Sequence, residues 1–191
     1  MATLIILSRE ADYKTEITIT IKGNGNKNIL SDINICYRNQ TNFSDLPQEI
    51  IINGINQTIK KRHLLNNSIN NITMKWYHYL TNCNNMFNNL TDIINFDFSK
   101  FDTSRVTSMA CMFVNCTKIT SINVSNFNTS LVTNMDSMFS DCRELKSLDL
   151  SNFDTSLVTN MHHMIYQCFN LISVNIENFN TSKVVDMTGM F

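Results

Sequence analysis

The fold is decided by residues 132–157, which read VTNMDSMFSDCRELKSLDLSNFDTSL. The same pattern returns every 26 residues without insertion or deletion, and weaker traces of it reach back to Met86 and Ile93. Self-similarity at a fixed period is the signature of a repeat architecture. The positions that keep this register are Phe101, Phe127, Phe153 and Phe179, Met109, Met135, Met161 and Met187, Met112, Met138, Met164 and Met190, and Cys116, Cys142 and Cys168.

Within one unit the spacing of apolar residues changes. Val132, Met135, Met138, Phe139 and Cys142 step by three and four, which predicts the buried stripe of a short helix. The next apolar residues, Leu148 and Leu150, alternate with polar ones, which predicts a strand buried on one side. Each repeat is therefore predicted to contain one strand and one short helix.

The predicted fold class is α/β. A single repeat cannot bury enough apolar surface to offset roughly 1–2 kcal/mol of backbone entropy per ordered residue. Stacked repeats cover one another, so residues 75–191 are expected to form a leucine-rich-repeat-like solenoid. Its parallel sheet would form one face and its helices the other. The side chains of Phe127 and Phe153 should then be buried between neighbouring repeats.

Residues 1–74 do not repeat, and we interpret them as a small β-rich N-terminal cap. Ile17, Ile19 and Ile21 alternate with polar residues, as in a half-buried strand. Asn53-Gly54 predicts a hairpin turn between two apolar runs. Trp76, the only tryptophan, lies where the cap meets the repeats.

Composition excludes several classes of function. With 15 Lys and Arg against 16 Asp and Glu, the chain lacks the concentrated positive charge of a nucleic-acid groove. The one basic cluster, Lys60–His63, is short and predicts a solvated turn. No apolar run approaches the ~18 residues of a membrane span, and the opening MATLIILSREADYK does not resemble a secretory signal. The sequence therefore does not determine the cellular compartment of the protein.

The residues that could carry chemistry fit a packing role better. The repeated methionines and Cys116, Cys142 and Cys168 lie on the apolar stripe, so these thiols should be buried and reduced. Cys111 and Cys116 are poorly spaced for zinc, and Cys36 and Cys83 have no evident partner. His162-His163 departs from the repeat pattern and is interpreted as solvated surface variation. We expect no metal, no cofactor and no catalytic set, and therefore no enzyme.

Polar residues at matching strand positions form two rows along the predicted sheet. They could be ordinary solvated residues, or they could be a concave contact face for a protein or glycan. The candidate binding face consists of Asp97, Ser99, Asn123, Ser125, Asp149, Ser151, Asn175 and Glu177.

The repeats resemble those of BspA-like leucine-rich-repeat surface proteins. The resemblance rests on LKSLDLSNFDTSLVTNMHHM (145–164), VTNMDSMFSDC (132–142) and FDTSRVTSMACMF (101–113), and it covers about residues 80–191. It implies a cell-surface or secreted protein that acts in adhesion or in host and matrix binding, usually without catalysis. It supplies no binding residues, because the matching positions are structural.

Two functional hypotheses follow. The first is a surface or secreted binding module that uses the polar face of its sheet. The alternative is a structural repeat protein that assembles end to end with no soluble ligand. The sequence stops at Met190-Phe191 inside a predicted helix, so we expect either further repeats in the gene or self-association through an uncapped C-terminal repeat.

Overall fold

The computed structural model describes residues 13–32 and 43–191, and this part of the chain is built from strands and turns. The predictions on residues 1–12, on Cys36 and on the rest of the cap between residues 33 and 42 lie outside the described residues. The strands are β1 (Thr15–Lys22), β2 (Gly25–Asn28), β3 (Glu49–Ile52), β4 (Ile55–Gln57), β5 (Arg62–Leu65), β6 (Ile69–Trp76), β7 (Ile93–Asp97), β8 (Ser147–Asp149) and β9 (Ser173–Asn175).

The largest sheet has five strands in the order β4-β3-β6-β1-β7, and all its neighbours are antiparallel. The strand predicted from Ile17, Ile19 and Ile21 is confirmed as β1, because these side chains are buried while their neighbours are partly exposed. Ile19 pairs with Ile72 on one side and with Phe96 on the other. Since Phe96 belongs to β7, the first repeat contributes a strand to the sheet of the cap.

The predicted hairpin at Asn53-Gly54 is also confirmed. It joins β3 and β4, which pair antiparallel from Ile52↔Ile55 outward. Both turn residues have positive φ, 51° at Asn53 and 83° at Gly54. A two-residue turn of type I′ requires this conformation at both positions, and Asn-Gly adopts it readily.

The predicted helices are absent from the described residues, where the repeats contain consecutive turns instead. Along residues 135–142 the backbone amides alternate between two kinds of acceptor. The amide of Ser140 donates to the carbonyl of Ser137, three residues back, at 3.1 Å. The amide of Phe139 donates onward to the carbonyl of Met164 in the next repeat, at 2.8 Å. An α-helix keeps all such bonds within itself, four residues apart, so these segments cannot be helical.

Left-handed backbone conformations make this alternation possible. Ser137 and Asp141 have φ of 54° and 60°, and the same two positions are left-handed in the other repeats. A left-handed L-residue costs roughly 1–2 kcal/mol, so a helix would not place one every four residues. The two left-handed columns are Asn85, Cys111, Ser137, His163 and Gly189, and Asn89, Asn115, Asp141 and Gln167.

The predicted fold class and the leucine-rich-repeat assignment are therefore wrong. The three-and-four spacing of Met135, Met138, Phe139 and Cys142 does place these side chains in the core, but on turns of four residues. Most strand pairs are antiparallel, and the only parallel pair of strands in the described chain is β8 with β9. Residues 121–123, which match β8 in the preceding repeat, are not a strand.

We call residues 81–191 the repeat stack and the described residues up to Trp76 the cap. One hydrophobic cluster runs through both. Phe87, Phe113 and Phe139 stack in sequence, with ring centroids 5.9 and 5.3 Å apart. Phe127 and Phe153 are buried, as predicted, and stack at 6.3 Å. Full burial of such a side chain contributes roughly 1.5–3 kcal/mol.

The repeated cysteines are reduced, as predicted, but the predicted burial holds for Cys116 and Cys142 and not for Cys168, which is partly exposed. Each thiol of Cys116, Cys142 and Cys168 donates to the carbonyl of a phenylalanine in the preceding repeat, at 3.1–3.2 Å. Burial raises the pKa of the Cys116 and Cys142 thiols, and it raises that of the partly exposed Cys168 to about 11. Cys83 is also free and buried, whereas Cys111 is disulfide-bonded.

Candidate functional site

The candidate binding face predicted from the sequence forms a series of Asx turns. In each repeat the side chain of an Asp or Asn accepts a hydrogen bond from the backbone amide two residues later. This links the two predicted rows, since the members of each pair belong to one turn. The bonded pairs are Asp97–Ser99 at 2.9 Å, Asn123–Ser125 at 3.0 Å, Asp149–Ser151 at 3.0 Å and Asn175–Glu177 at 3.2 Å.

The Asx pairs remain accessible at the surface. Six of the eight residues are exposed, and Ser151 and Asn175 are partly exposed. Parallel pairing of β8 with β9 sets Asp149 beside Asn175, at the ~4.8 Å spacing of neighbouring strands. Asp97 lies at the end of β7, whereas Asn123 lies outside any strand. We name this set of four pairs the Asx row.

Two carboxylates in the Asx row are stabilised in their charged form. The backbone and side chain of Ser99 donate to Asp97, and those of Ser151 donate to Asp149. These bonds hold the pKa of both carboxyl groups below the ordinary value. The row therefore presents carboxylates at Asp97, Asp149 and Glu177 and neutral amides at Asn123 and Asn175.

Asx turns also occur elsewhere in the repeat. A second series runs through Asp102, Asn128, Asp154 and Asn180, each accepting from a serine amide at 2.8–3.1 Å. The turn itself is therefore part of the architecture of the stack. What distinguishes the Asx row is its position beside β7, β8 and β9, and the second series supplies a control of the same local geometry.

The structure shows a further concave region that sequence reasoning did not identify. We call it the turn groove, of about 540 Å³, within the roughly 300–1,000 Å³ typical of small-molecule sites. It runs between the two left-handed columns on the turns of successive repeats. Its lining includes Asn115, Ser137, Asp141, Arg143, His163 and Tyr166.

An aromatic stack borders the turn groove. The rings of His162 and His163 lie 3.7 Å apart, and Tyr166 stacks on His163 at 4.4 Å. Gly189 makes room for this arrangement, because a Cβ there would collide with the His163 ring. The interruption of the repeat at His162-His163, which is followed by Tyr166 and Gln167, was visible in the sequence and is the signal that pointed to this region.

The interpretation of His162 as a solvated residue is wrong. Its side chain is only 12% exposed, and Nδ1 lies 3.3 Å from Oδ1 of the buried Asp136. The hydroxyl of Ser137 donates to the same carboxylate at 2.7 Å. Nowhere in the described part of the chain do three His, Cys, Asp or Glu side chains gather as they would around a metal ion.

The basic cluster Lys60–His63 is not a solvated turn either. Lys61 Nζ donates to the carbonyls of Ser31 and Phe43 at 2.8 and 2.9 Å. His63 belongs to β5, is 3% exposed, and lies 3.0 Å from the Lys60 carbonyl. Two of the four residues are thus used to hold the cap together, which leaves no basic stripe at this position.

An apolar patch lies beside β9 in the last repeat. Phe169, Ile172 and Phe191 line one depression there and are 72%, 84% and 65% exposed. Of the repeated methionines in the last repeat, Met187 is exposed and Met190 is buried. No helix able to cross a bilayer occurs in the two described ranges.

Comparison with known proteins yields one match. The family described as "Mycoplasma protein of unknown function, DUF285" matches residues 81–191, which is the whole repeat stack and more than half of the chain. No curated protein and no solved structure matches. The chain belongs to the DUF285 family of Mycoplasma proteins of unknown function.

Proposed function

We propose that this chain is a non-catalytic binding module that contacts a protein or a glycan through the Asx row. The observation that carries the proposal is the accessible set of four Asx pairs, in which a backbone amide fixes each Asp or Asn side chain. A side chain that is already ordered loses less entropy on binding, so its contacts contribute more to affinity. The resemblance to BspA-like surface proteins favours the same class of function.

The combination of carboxylates and amides along the Asx row suits a polar partner. Carboxylates accept only, whereas the amides of Asn123 and Asn175 can also donate. A partner that offers hydroxyl groups or backbone amides can satisfy both kinds of group. Repetition at each 26-residue step would let one extended partner engage several repeats, so that weak contacts add up.

The test compares two double variants of the same kind, one in the Asx row and one in the second series. Asn123→Ala with Asp149→Ala removes two Asx turns from the row, and Asn128→Ala with Asp154→Ala removes two from the second series. Both are screened against a glycan array and a panel of immobilised extracellular-matrix proteins. We expect the first variant to lose at least one protein or glycan probe that wild type and the second variant both bind. Retention of every such probe by the first variant, or no binding to any probe, would remove the support for this function.

A second candidate function, end-to-end assembly, is favoured by the apolar patch. β9 is the edge of a two-stranded sheet, and edge strands leave backbone groups open for pairing with another chain. We propose a second copy of this chain as the occupant, with β9 pairing against β9 and the two patches in contact. Sedimentation should then show a concentration-dependent dimer that Ile172→Lys dissociates. A monomer at all concentrations, or a dimer unaffected by Ile172→Lys, would exclude this arrangement.

A further inference from the structure

We infer that the turn groove is a binding site for an uncharged sugar residue of a glycan. This site is separate from the Asx row and does not depend on it. Three features of the groove carry the inference: an aromatic ring with one face covered, a self-neutralising ion pair, and polar side chains that can serve adjacent hydroxyl groups.

The aromatic ring comes from Tyr166. His163 covers one face of this ring at a centroid distance of 4.4 Å and an interplanar angle of 15°. The side chain is half-buried, so its orientation is restricted, and it lines the groove. The opposite face is therefore the one that a ligand can cover. Pyranose rings present a face of C–H groups, and these carry partial positive charge that matches the negative face of an aromatic ring.

The ion pair between Arg143 and Asp141 indicates that the ligand is uncharged. Arg143 donates to Oδ1 of Asp141 from Nη2 at 2.9 Å and from Nε at 3.3 Å. The two formal charges cancel, so the groove offers no net charge to attract a phosphate, a carboxylate or a cation. The pair still has unused hydrogen-bonding capacity, because a guanidinium has five N–H donors and a carboxylate about four lone-pair positions. Neutral hydroxyl groups match this capacity.

The remaining lining supplies polar groups without charge. Asn115 and Gln167 bring amides, and Ser137 brings a hydroxyl. Asn115 already donates to Asn89 at 2.6 Å, and Ser137 to Asp136 at 2.7 Å, which fixes both side chains. Fixed polar groups beside an aromatic face suit a ring that carries hydroxyls on its rim. A sugar combines these properties, whereas a nucleotide would bring phosphate charge.

The aromatic residues of the turn groove, and the glycine that makes room for them, occur in only two successive repeats of the stack. Tyr166 replaces Ser140 of the preceding repeat, and His163 replaces Ser137. Gly189 follows 26 residues later in the same left-handed column and leaves space for the His163 ring. The aromatic stack is thus a local departure from the repeat, in contrast to the Asx row, which recurs in every unit.

The experiment uses the full chain with free methyl glycosides of neutral hexoses and N-acetylhexosamines, and with an array of neutral and acidic glycans. We expect at least one neutral sugar to bind. Tyr166→Ala should weaken that binding by roughly three- to tenfold, whereas Tyr166→Phe, which keeps the ring, should change it by less than about twofold. Arg143→Gln should weaken binding, and Lys146→Gln, an exposed charge outside the groove, should not.

Three results would overturn the inference. They are the absence of binding to every neutral sugar, a preference for acidic glycans, and binding that survives both Tyr166→Ala and Arg143→Gln. Arg143 is more than half exposed, so its variant should fold even if Tyr166→Ala does not. The variant Asn123→Ala with Asp149→Ala should retain binding to the sugar, which separates this site from the Asx row.

Discussion

The cap and the repeat stack solve the same problem, the pairing of backbone groups, in different ways. In the cap, antiparallel strands pair across varied sequence separations, as Thr15 does with Trp76 and Ile52 with Ile55. In the stack, the amides along each run of turns alternate between a carbonyl three residues back and one 25 residues ahead. One bonding pattern is therefore reused in every repeat. The difference shows why the stack needs so little regular strand.

Side chains complete the bonding of the stack, whereas strand pairing dominates the cap. The buried Thr129 hydroxyl donates to the carbonyl of Asp154 at 3.0 Å, and Thr103 and Thr155 do the same in their repeats. The side-chain amide of Asn152 donates to the carbonyls of Val124 and Phe127 at 3.1 and 3.2 Å. The stack should therefore be sensitive to the loss of single polar groups that lie between repeats.

The largest effect should come from Phe153→Ala, which tests whether the two regions share one core. Phe153 is 1% exposed, so truncation should lower the free energy of unfolding by roughly 3–5 kcal/mol. Trp76 lies in the cap, yet it belongs to the same hydrophobic cluster. The urea unfolding transitions measured by Trp76 fluorescence and by far-UV circular dichroism should both move to lower urea concentration, and by the same amount.

Phe169→Ala is the control for this change, because its side chain is 72% exposed and it should alter stability little. A Trp76 transition that stays in place while the circular-dichroism transition moves would mean that the cap and the stack unfold independently.

A smaller loss of stability is expected from Thr129→Val. This variant tests the side-chain hydrogen bonds between repeats, which distinguish the stack from the cap. The substitution removes the buried Thr129 hydroxyl and leaves the carbonyl of Asp154 without this donor, at a cost of roughly 1–3 kcal/mol. Thr133→Val is the matched control, since that exposed hydroxyl makes a longer bond, 3.3 Å, to Thr107. Chemical denaturation of both variants measures the difference. Similar small losses of stability in the two variants would show that the hydrogen bond from the buried Thr129 hydroxyl contributes no more than the bond from the exposed Thr133 hydroxyl.

The smallest expected effect is the pH dependence that His63, in the cap, gives to the free energy of unfolding. Burial lowers the pKa of His63 below its ordinary 6.5, because the apolar surroundings disfavour the charged ring. The unfolded chain then binds this proton more readily. The contribution of His63 to stability should be constant above about pH 6.5 and should fall as the pH drops below it.

Urea unfolding of wild type and His63→Gln between about pH 7.5 and pH 5 isolates this effect, since carboxylates titrate mainly lower. The variant should lose less stability over that range. A steeper loss in the variant than in wild type would contradict the neutral, buried state of His63.

Parts of this architecture could be predicted from the sequence. The 26-residue register and the buried positions follow from periodicity, and β1 and the Asn53-Gly54 hairpin follow from local pattern. The turns were mistaken for helices because both structures bury residues three and four apart. A signal was present in Asn89, Asn115 and Asp141, since Asn and Asp favour left-handed backbone, and Gly189 adds to it.

The turn groove could not be predicted for a different reason. Its residues come from several repeats, and they meet only because the left-handed columns align. The departure at His162-His163 was visible, but solvation was the simpler reading of two adjacent histidines. The stacking on Tyr166 and the space above Gly189 depend on contacts between repeats, which periodicity does not specify.

The central claim is that the repeats are built from left-handed turns, and the pair Ser137→Gly and Ser137→Ala tests it most directly. Both variants remove the same hydroxyl, so their difference reports the backbone. At φ of 54° glycine is unstrained, whereas alanine should cost roughly 1–2 kcal/mol. We predict that Ser137→Gly is the more stable variant in urea unfolding. In a helix alanine would be favoured by about 1 kcal/mol, so a more stable Ser137→Ala would contradict the account.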